Sequence, residues 1–225
     1  MRVVTWNCNG AFRKKYSAVK NLNADIFIIQ ECENPETVND EGYSKFASNY
    51  LWVGHKNKGL GVFAKDRINL KNCEWESYGL EWFISCTIND NLNLIGTWGC
   101  GNYIEDIYVY LKIHFKKMEA MKNLLICGDF NSNSCWDKNH KIRTHSAVVK
   151  DLESLNLHSC YHCKEDEFQG MESKPTFYLY KREDRSYHID YCFYDKDKIN
   201  DVSIGKYEDW ISLSDHMPVN IGIDI

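Results

Sequence analysis

The sequence has no apolar run near the roughly 18 residues that a membrane-spanning helix needs, and only three of its 225 residues are proline. No cationic segment followed by an apolar stretch and a small-residue cleavage site follows Met1, so no secretion signal is evident. Excess positive charge is also lacking, because 32 acidic and 27 basic residues give a net charge of −5. We therefore expect a cytoplasmic protein without a membrane span. The charge excludes binding that depends on covering many phosphates, so any contact with nucleic acid must be local.

The composition is that of an ordinary globular protein, with 44% hydrophobic and 26% charged residues. We predict a single catalytic domain over residues 1–225. The ten cysteines favour reduced core thiols over disulfides, because no export signal is evident. Cys160-Tyr161-His162-Cys163 is the one dense Cys/His cluster, but it lacks a matching second pair and so argues against a zinc site.

A buried strand is predicted at Leu124–Cys127, and it stops abruptly at Gly128-Asp129-Phe130-Asn131. If strand geometry persists, Asp129 and Asn131 point to the same side, which places a carboxylate beside a carboxamide. That pair suits a phosphate ester and a metal-bound water. Gly-Asp-x-Asn is also a good turn sequence, so the pattern alone leaves both interpretations open.

Other strands end in the same way. The apolar run 26–29 stops at Gln30-Glu31, and the first strand stops at Asn7. One acid at the end of a strand is usually a residue leaving the core for solvent, but two such strands are what a divalent-metal cleft requires. Asp190 interrupts an aromatic strand over 187–193 and needs a partner if it is buried. Asp215-His216 adds a carboxylate and a residue suited to proton handling near neutral pH.

The remaining pattern predicts an α/β protein. Consecutive antiparallel strands are expected in the middle of the chain, and surface helices before and after them. Lys58-Gly59-Leu60-Gly61 lacks the spacing of a phosphate-binding loop and is predicted to form a hairpin turn. The strands are expected at 51–55, 60–65, 82–88, 91–98, 176–180 and 219–223, and the helices at 12–22, 103–118 and 144–155, the last capped by Thr144 or Ser146.

Five motifs come in an order that resembles the endonuclease/exonuclease/phosphatase family. They are Trp6-Asn7-Cys8-Asn9-Gly10, Gln30-Glu31, Gly128-Asp129-Phe130-Asn131, His188-Ile189-Asp190-Tyr191 and Ser214-Asp215-His216-Met217-Pro218. Each motif is weak alone, but the set spans nearly the whole chain. The resemblance implies a four-layer α/β-sandwich, in which two mixed β-sheets pack face to face with helices on the outside. It also implies a divalent-metal phosphodiesterase cleft at one edge of the sheets.

The resemblance implies a metal site in which Glu31 is the principal carboxylate, Asn7 lies close to the metal and Asp215 contributes nearby. The expected cofactor is Mg²⁺, with Mn²⁺ as a substitute. Mg²⁺ keeps several waters and takes one or two carboxylates directly, so this sparse set is sufficient.

The resemblance also implies the catalytic roles. Asp129 would orient or deprotonate the attacking water, and Asn131 would hold the phosphate or that water. His216, paired with Asp190, would stabilise negative charge on the phosphoryl oxygens.

The sequence departs from the family after the strand that ends at Trp98, where many relatives carry a histidine or tyrosine. An indole N–H can donate a hydrogen bond but cannot transfer a proton. Protonation of the leaving group would then depend on a metal-bound water, Tyr103 or Asn102.

The leading hypothesis is a nuclease that hydrolyses DNA or RNA, without an obligate protein partner and as a monomer. Tyr178, Tyr180, Tyr187 and Trp136 could stack bases or belong to the core, and Lys138, His140, Lys141 and Arg143 could hold a backbone. The predicted substrate-binding residues are Asn9, Arg13, Trp98, Asn102, Trp136 and Arg143. The alternatives are a phosphatase or phosphodiesterase for a small or lipid phosphate, and a binding module of the same fold without chemistry.

Overall fold

The structure is a computed structural model that describes residues 1–225. The chain forms fourteen strands and six α-helices. The strands are β1 (Arg2–Asn7), β2 (Ile26–Cys32), β3 (Tyr50–His55), β4 (Lys58–Ala64), β5 (Leu70–Asn72), β6 (Phe83–Ile88), β7 (Leu92–Trp98), β8 (Leu124–Asp129), β9 (His158–Ser159), β10 (Phe177–Tyr178), β11 (Ser186–Tyr187), β12 (Asp190–Tyr194), β13 (Ile199–Ile204) and β14 (Val219–Ile223). The helices are α1 (Tyr16–Lys20), α2 (Glu41–Phe46), α3 (Ile104–Glu119), α4 (His145–Ser154), α5 (Cys160–Glu165) and α6 (Tyr207–Trp210).

Two six-stranded sheets form the frame. The first has the order β13-β14-β1-β2-β4-β3 and the second β5-β6-β7-β8-β12-β9, while β10 and β11 form a small separate hairpin. Each large sheet is mixed, because β1 pairs parallel with β2 and β7 pairs parallel with β8, whereas the other pairings are antiparallel. The prediction of two mixed sheets is confirmed.

Three apolar cores separate four layers. The largest lies between the sheets and joins residues such as Ile28 and Val62 of the first to Leu94 and Leu125 of the second. A second core packs the outer face of the second sheet against α3 and α4. A third packs the outer face of the first sheet against α1, α2 and α6. This order of helices, sheet, sheet and helices is the predicted four-layer sandwich.

The helix predicted over 12–22 is instead a 3₁₀ turn at Phe12–Lys14 followed by the short α1. Lys15 leaves helical geometry at φ −124°, and its ammonium donates to the carbonyl of Cys8 at 2.7 Å. That contact ties the segment to the end of β1 rather than letting it continue as one helix.

Three further predictions were wrong in detail. The strand predicted over 176–180 is only Phe177–Tyr178, and a 3₁₀ turn follows at Leu179–Lys181. Lys58–Gly61 lies inside β4, and the hairpin turn is formed by Lys56 and Asn57. The strand predicted over 187–193 is divided, so that Asp190 begins β12 rather than interrupting a strand. The division arises because the backbone N–H groups of Ile189 and Asp190 both donate to Thr176 Oγ1, each at 3.0 Å.

None of the six helices is both long and apolar enough to cross a bilayer.

Candidate active site

Strand ends from both sheets bring the predicted site residues together. Asn7 ends β1, and Glu31 lies near the end of the parallel neighbour β2. In the second sheet, Asp129 ends β8 directly opposite Asp190, the first residue of the antiparallel β12. The edges of the two packed sheets therefore place these four side chains beside one another.

Asp129 is fully buried and lies at the centre of the group. Its Oδ2 accepts from Asn7 Nδ2 at 3.0 Å and from Asn131 Nδ2 at 3.1 Å, and its Oδ1 accepts from the backbone N–H of Asn131 at 2.8 Å. Strand geometry does not persist after Asp129, because Asn131 has a left-handed φ of 45°. A tight turn, not strand alternation, therefore brings the Asn131 amide back to the carboxylate.

His216 completes this cluster. Its Nδ1 lies 2.9 Å from Asp190 Oδ2, and its Nε2 lies 4.0 Å from Asp129 Oδ2. The backbone around the ring is fixed, since Trp6 Nε1 donates to the His216 carbonyl at 2.9 Å and the His216 N–H donates to Ser214 Oγ at 3.0 Å. The imidazole is thus held between two carboxylates.

The buried ionisable groups shift one another's pKa values. Burial raises the pKa of Asp129 to about 7, and the neighbouring Asp190 carboxylate adds to the rise while His216 opposes it. Burial lowers the pKa of His216, but the Asp190 and Asp129 carboxylates outweigh this effect and raise the pKa to about 9. At neutral pH this favours an imidazolium paired with Asp190.

Glu31 occupies the other side of Asn7. Its Oε1 accepts from Asn7 Nδ2 at 3.4 Å, and its Oε2 faces Lys58 Nζ at 2.5 Å. Asp215 is half-buried beside His216, with Oδ1 3.4 Å from Ser214 Oγ.

Two groups of side chains could hold a cation. Asp129, Asp190 and His216 offer ligand atoms within 4.8 Å of one another. However, the His216 ring is already paired with Asp190, and a charged ring has no lone pair to give. Glu31 and Asn7 offer carboxylate and amide oxygens, which are the ligands that hard divalent cations prefer. The chemistry of this second donor set fits Mg²⁺ or Mn²⁺ better.

The predicted substrate residues close to the site differ in exposure. Asn9 is exposed, and its N–H donates to Asn7 Oδ1 at 3.0 Å. Trp98 lies beside Asp129 in the register of β7 and β8, but it is 6% exposed and packs against Trp82 with ring centroids 4.8 Å apart. The loop following Asn131 places Trp136 against Tyr187, with centroids 4.9 Å apart.

Three other predicted substrate residues make contacts outside the Asp129–His216 cluster. The Arg13 guanidinium forms an ion pair with the buried Glu33. Asn102 is exposed, and its backbone and side-chain N–H groups donate to Asp106 at the start of α3. Arg143 is also exposed and lies 3.9 Å from Glu105. The structure shows no contact that joins these three side chains to Asp129, Asp190 or His216.

Sequence reasoning missed three supporting residues. Ser214 Oγ donates to the carbonyl of Asn7 at 2.7 Å and so ties the His216 loop to β1. Thr176 fixes the start of β12, as described above. Lys58 was assigned only to a turn. The Ser214-Asp215-His216 motif offered a signal for Ser214, whereas nothing in the local sequence pointed to Thr176 or Lys58.

Several solved structures share the fold over 100% of both chains, each at 16% sequence identity. A 3′ phosphatase, NExo, from Neisseria, solved with a product DNA hairpin, has a TM-score of 0.73. An AP endonuclease from Archaeoglobus fulgidus and a 3′-5′ exonuclease (NExo) from Neisseria meningitidis each have a TM-score of 0.70. No curated protein sequence matches the chain significantly. The model of the Endonuclease/Exonuclease/phosphatase family matches residues 4–216, so this chain belongs to that family.

Proposed function

We propose that this protein is a divalent-metal-dependent phosphodiesterase that hydrolyses DNA or RNA by in-line attack of an activated water. One observation carries the proposal: Asn7, Asp129 and Asn131 form a single hydrogen-bonded group beside the His216–Asp190 pair. A carboxylate can orient a water, carboxylate and carboxamide oxygens can bind a metal, and an imidazolium can bind a phosphate. One cleft therefore holds a group for each of these tasks.

Glu31 and Asn7 would hold the divalent cation, with Asp215 contributing from the His216 loop. A cation bound there supplies Lewis-acid stabilisation of charge on the phosphate. The protein's own contribution is to fix these oxygens, since Asn7 Oδ1 is oriented by the N–H of Asn9 and Asn7 Nδ2 bridges Glu31 and Asp129.

Asp129 would orient the attacking water and accept its proton. Three hydrogen bonds from Asn7 and Asn131 fix the carboxylate, so little reorganisation is needed as the water attacks. The Asn131 amide has further hydrogen-bonding capacity toward a phosphate oxygen.

His216 would stabilise negative charge on the phosphoryl oxygens. Asp190 accepts from Nδ1 at 2.9 Å, which leaves Nε2–H pointing away from that carboxylate and toward the cleft beside Asp129. Such preorganised donors are among the largest contributions to transition-state stabilisation. Trp98 cannot donate a proton to the leaving oxygen, so its protonation would depend on a metal-bound water, Tyr103 or Asn102.

Nucleic acid is the substrate class that the surroundings support best. Trp136, in the loop that follows Asn131, packs against Tyr187 of β11, and the pair offers aromatic faces. Base stacking on such faces is tolerant of sequence. The similar structures include proteins described as a 3′ phosphatase with product DNA and an AP endonuclease. A net charge of −5 agrees with a local rather than extended contact with the phosphate backbone.

The test is hydrolysis by the purified protein of single-stranded DNA, duplex DNA, RNA and inositol phosphates with Mg²⁺, Mn²⁺ or a chelator. We expect metal-dependent cleavage of a nucleic acid. Asp129→Asn and His216→Gln should each lower kcat by about 10²- to 10⁴-fold while circular dichroism shows that the fold is retained.

Two exposed residues provide matched controls, because Asp90→Asn and His55→Gln make the same chemical changes outside the site. Both should keep wild-type turnover. Near wild-type turnover in Asp129→Asn or His216→Gln would remove the mechanism. Cleavage of inositol phosphates alone would assign a small-molecule phosphodiesterase, and no cleavage at all would favour a binding module.

A further inference from the structure

Lys58 lies against the Glu31 carboxylate at the catalytic edge. Its Nζ is 2.5 Å from Oε2, while Asn7 Nδ2 is 3.4 Å from Oε1. The Lys58 side chain is 57% exposed and the Glu31 side chain only 17%. Both oxygens of the carboxylate therefore face a donor, and one of these donors carries a full positive charge on a mobile side chain.

The backbone of β2 is shaped to direct Glu31 toward this position. The register between β2 and β4 is interrupted between Gln30 and Cys32, so Glu31 is the extra residue of a β-bulge. It has a left-handed φ of 61°, which is uncommon for a residue with a side chain. Bulges next to active sites commonly redirect one side chain, and such strained backbone is retained where function requires it.

The hairpin that carries Lys58 is fixed against the same bulge. Gly59, the next residue, pairs with Cys32 just after the bulge. The Trp52 indole lies across Gly54 and Gly59, where a Cβ on either glycine would come within 2.5 Å of the ring, and its Nε1 donates to the Cys32 carbonyl at 3.3 Å. The position of Lys58 opposite Glu31 is thus built into the sheet.

Stability alone does not account for this pair. Because the Lys58 side chain of the pair is 57% exposed, solvent and salt screen it and limit its contribution to folding. A lysine ammonium is a compact charge on a flexible stem, and it competes directly with a divalent cation for carboxylate oxygens. Arg13 does not offer the same charge, because its guanidinium is engaged by Glu33.

We propose that Lys58 is an exchangeable internal cation of the site. It pairs with Glu31 in the metal-free protein and releases the carboxylate when a divalent cation binds. Its ammonium then contacts a phosphate of the substrate. This inference rests on the proposed role of Glu31 as a metal ligand, and it assigns a positioning role to a residue outside the family motifs.

Calorimetric titration with Mn²⁺ in the absence of substrate tests the exchange without any need for activity. Lys58→Gln should bind Mn²⁺ about three- to tenfold more tightly than the wild type, because the competing charge is gone. Lys58→Arg, which keeps the charge, and Lys56→Gln, which removes an exposed lysine of the adjacent turn that contacts no acid, should stay within twofold of the wild type. Equal affinities for Lys58→Gln and wild type, or no Mn²⁺ binding at all, would overturn the inference.

The phosphate contact has its own readout. With saturating metal and a nucleic acid that the wild type cleaves, Lys58→Gln should raise KM severalfold while kcat changes less, and Lys56→Gln should leave both unchanged. A tighter metal site with an unchanged KM would remove the phosphate contact but keep the exchange. Tighter Mn²⁺ binding in a protein that cleaves nothing would remove the proposed function while leaving the exchange intact.

Discussion

Asp129 depends on its neighbours in the chain as much as on its partners in space. It follows Gly128, which has a φ of +155° and whose missing side chain leaves room for the backbone of Thr97 in the adjacent strand. A Cβ at Gly128 would overlap the Thr97 carbonyl oxygen. The close approach of β7 and β8 at their ends therefore requires glycine at this position.

Gly128→Ala should lower the free energy of unfolding by about 3 kcal/mol or more, since a backbone clash is added to an unfavourable φ. Gly79→Ala is the matched control, because Gly79 also has a positive φ of 80° but has no atom within 4 Å of its would-be Cβ. Gly79→Ala should lower the free energy of unfolding by about 1 kcal/mol. Urea unfolding measures both. Equal losses in the two variants would show that the contact with Thr97 is unimportant.

Single residues at strand ends were predictable, but their geometry was not. Apolar runs that stop at Asn7, Glu31 and Asp129 predicted a candidate site at one edge of the sheets, because each run is a local pattern. At Asn131 the sequence left strand and turn as alternatives, and the left-handed φ shows a turn. The bulge at Glu31 was not visible, since it depends on pairing with a distant strand. Lys58 was missed for the same reason: its significance lies in a partner 27 positions away.

At the scale of elements, strong local sequence patterns predicted the positions of strands and helices well. The strands of the middle of the chain and the helices α3 and α4 lie within a few residues of their predicted bounds. The helix start at α4 is defined by Thr144, whose side chain accepts from the N–H of Ala147 at 3.0 Å. The pattern had left Thr144 and Ser146 as alternative caps, and the structure selects Thr144.

Thr144→Ala should reduce the free energy of unfolding by about 1 kcal/mol, since one N–H of the first turn of α4 loses its acceptor. Ser146→Ala is the natural comparison, because Ser146 is exposed within the helix and its side chain caps nothing. Chemical denaturation of both variants measures the difference. A loss in Ser146→Ala equal to that in Thr144→Ala would contradict the assignment of the cap.

At the scale of the whole molecule, we expect stability in acid to depend on His145, a histidine outside the Asp129–His216 cluster. His145 is 1% exposed, and its Nδ1 has no hydrogen-bond partner while Nε2 meets Gln169 Oε1 at 3.1 Å. Burial lowers the pKa of His145 to about 4, although the bond to Gln169 opposes the shift. The ring is therefore neutral in the folded protein at pH values where it is charged in the unfolded chain.

This difference gives stability a definite dependence on pH. In the unfolded chain His145 has its ordinary pKa of 6.5 and binds a proton between about pH 6.5 and 4, whereas in the folded protein it stays neutral there. Folding free energy is therefore lost as the pH falls through that interval, by at most about 3 kcal/mol from this group. His145→Gln should flatten the loss measured by urea unfolding from pH 7 to 4, whereas the exposed His55→Gln should not. An unchanged slope in His145→Gln would show that another group causes the acid sensitivity.

The four-layer architecture was predicted from the order of five motifs, through their resemblance to a family. Local sequence patterns alone do not define such a topology. Strand order, register and the pairing of the two sheet edges come from contacts between distant segments, and only the resemblance supplied them. The substrate is harder to predict from the sequence than the architecture. Exposed loop residues such as Asn102 and Arg143 are engaged by nearby acids, and loop sequences alone do not reveal such contacts.

The first strand has its place in the sheet between β2 and β14, and the amino group of Met1 donates to the Ile223 carbonyl at 2.7 Å. During synthesis on the ribosome, β1 must therefore wait for β14, whose residues lie more than 200 positions later in the chain. Asn7 and His216 are separated in the same way, so the nascent polypeptide cannot assemble the candidate site until His216 has emerged. We expect a shorter nascent chain to be prone to aggregation at the exposed edge of β1 and, lacking His216, unable to carry out the proposed reaction.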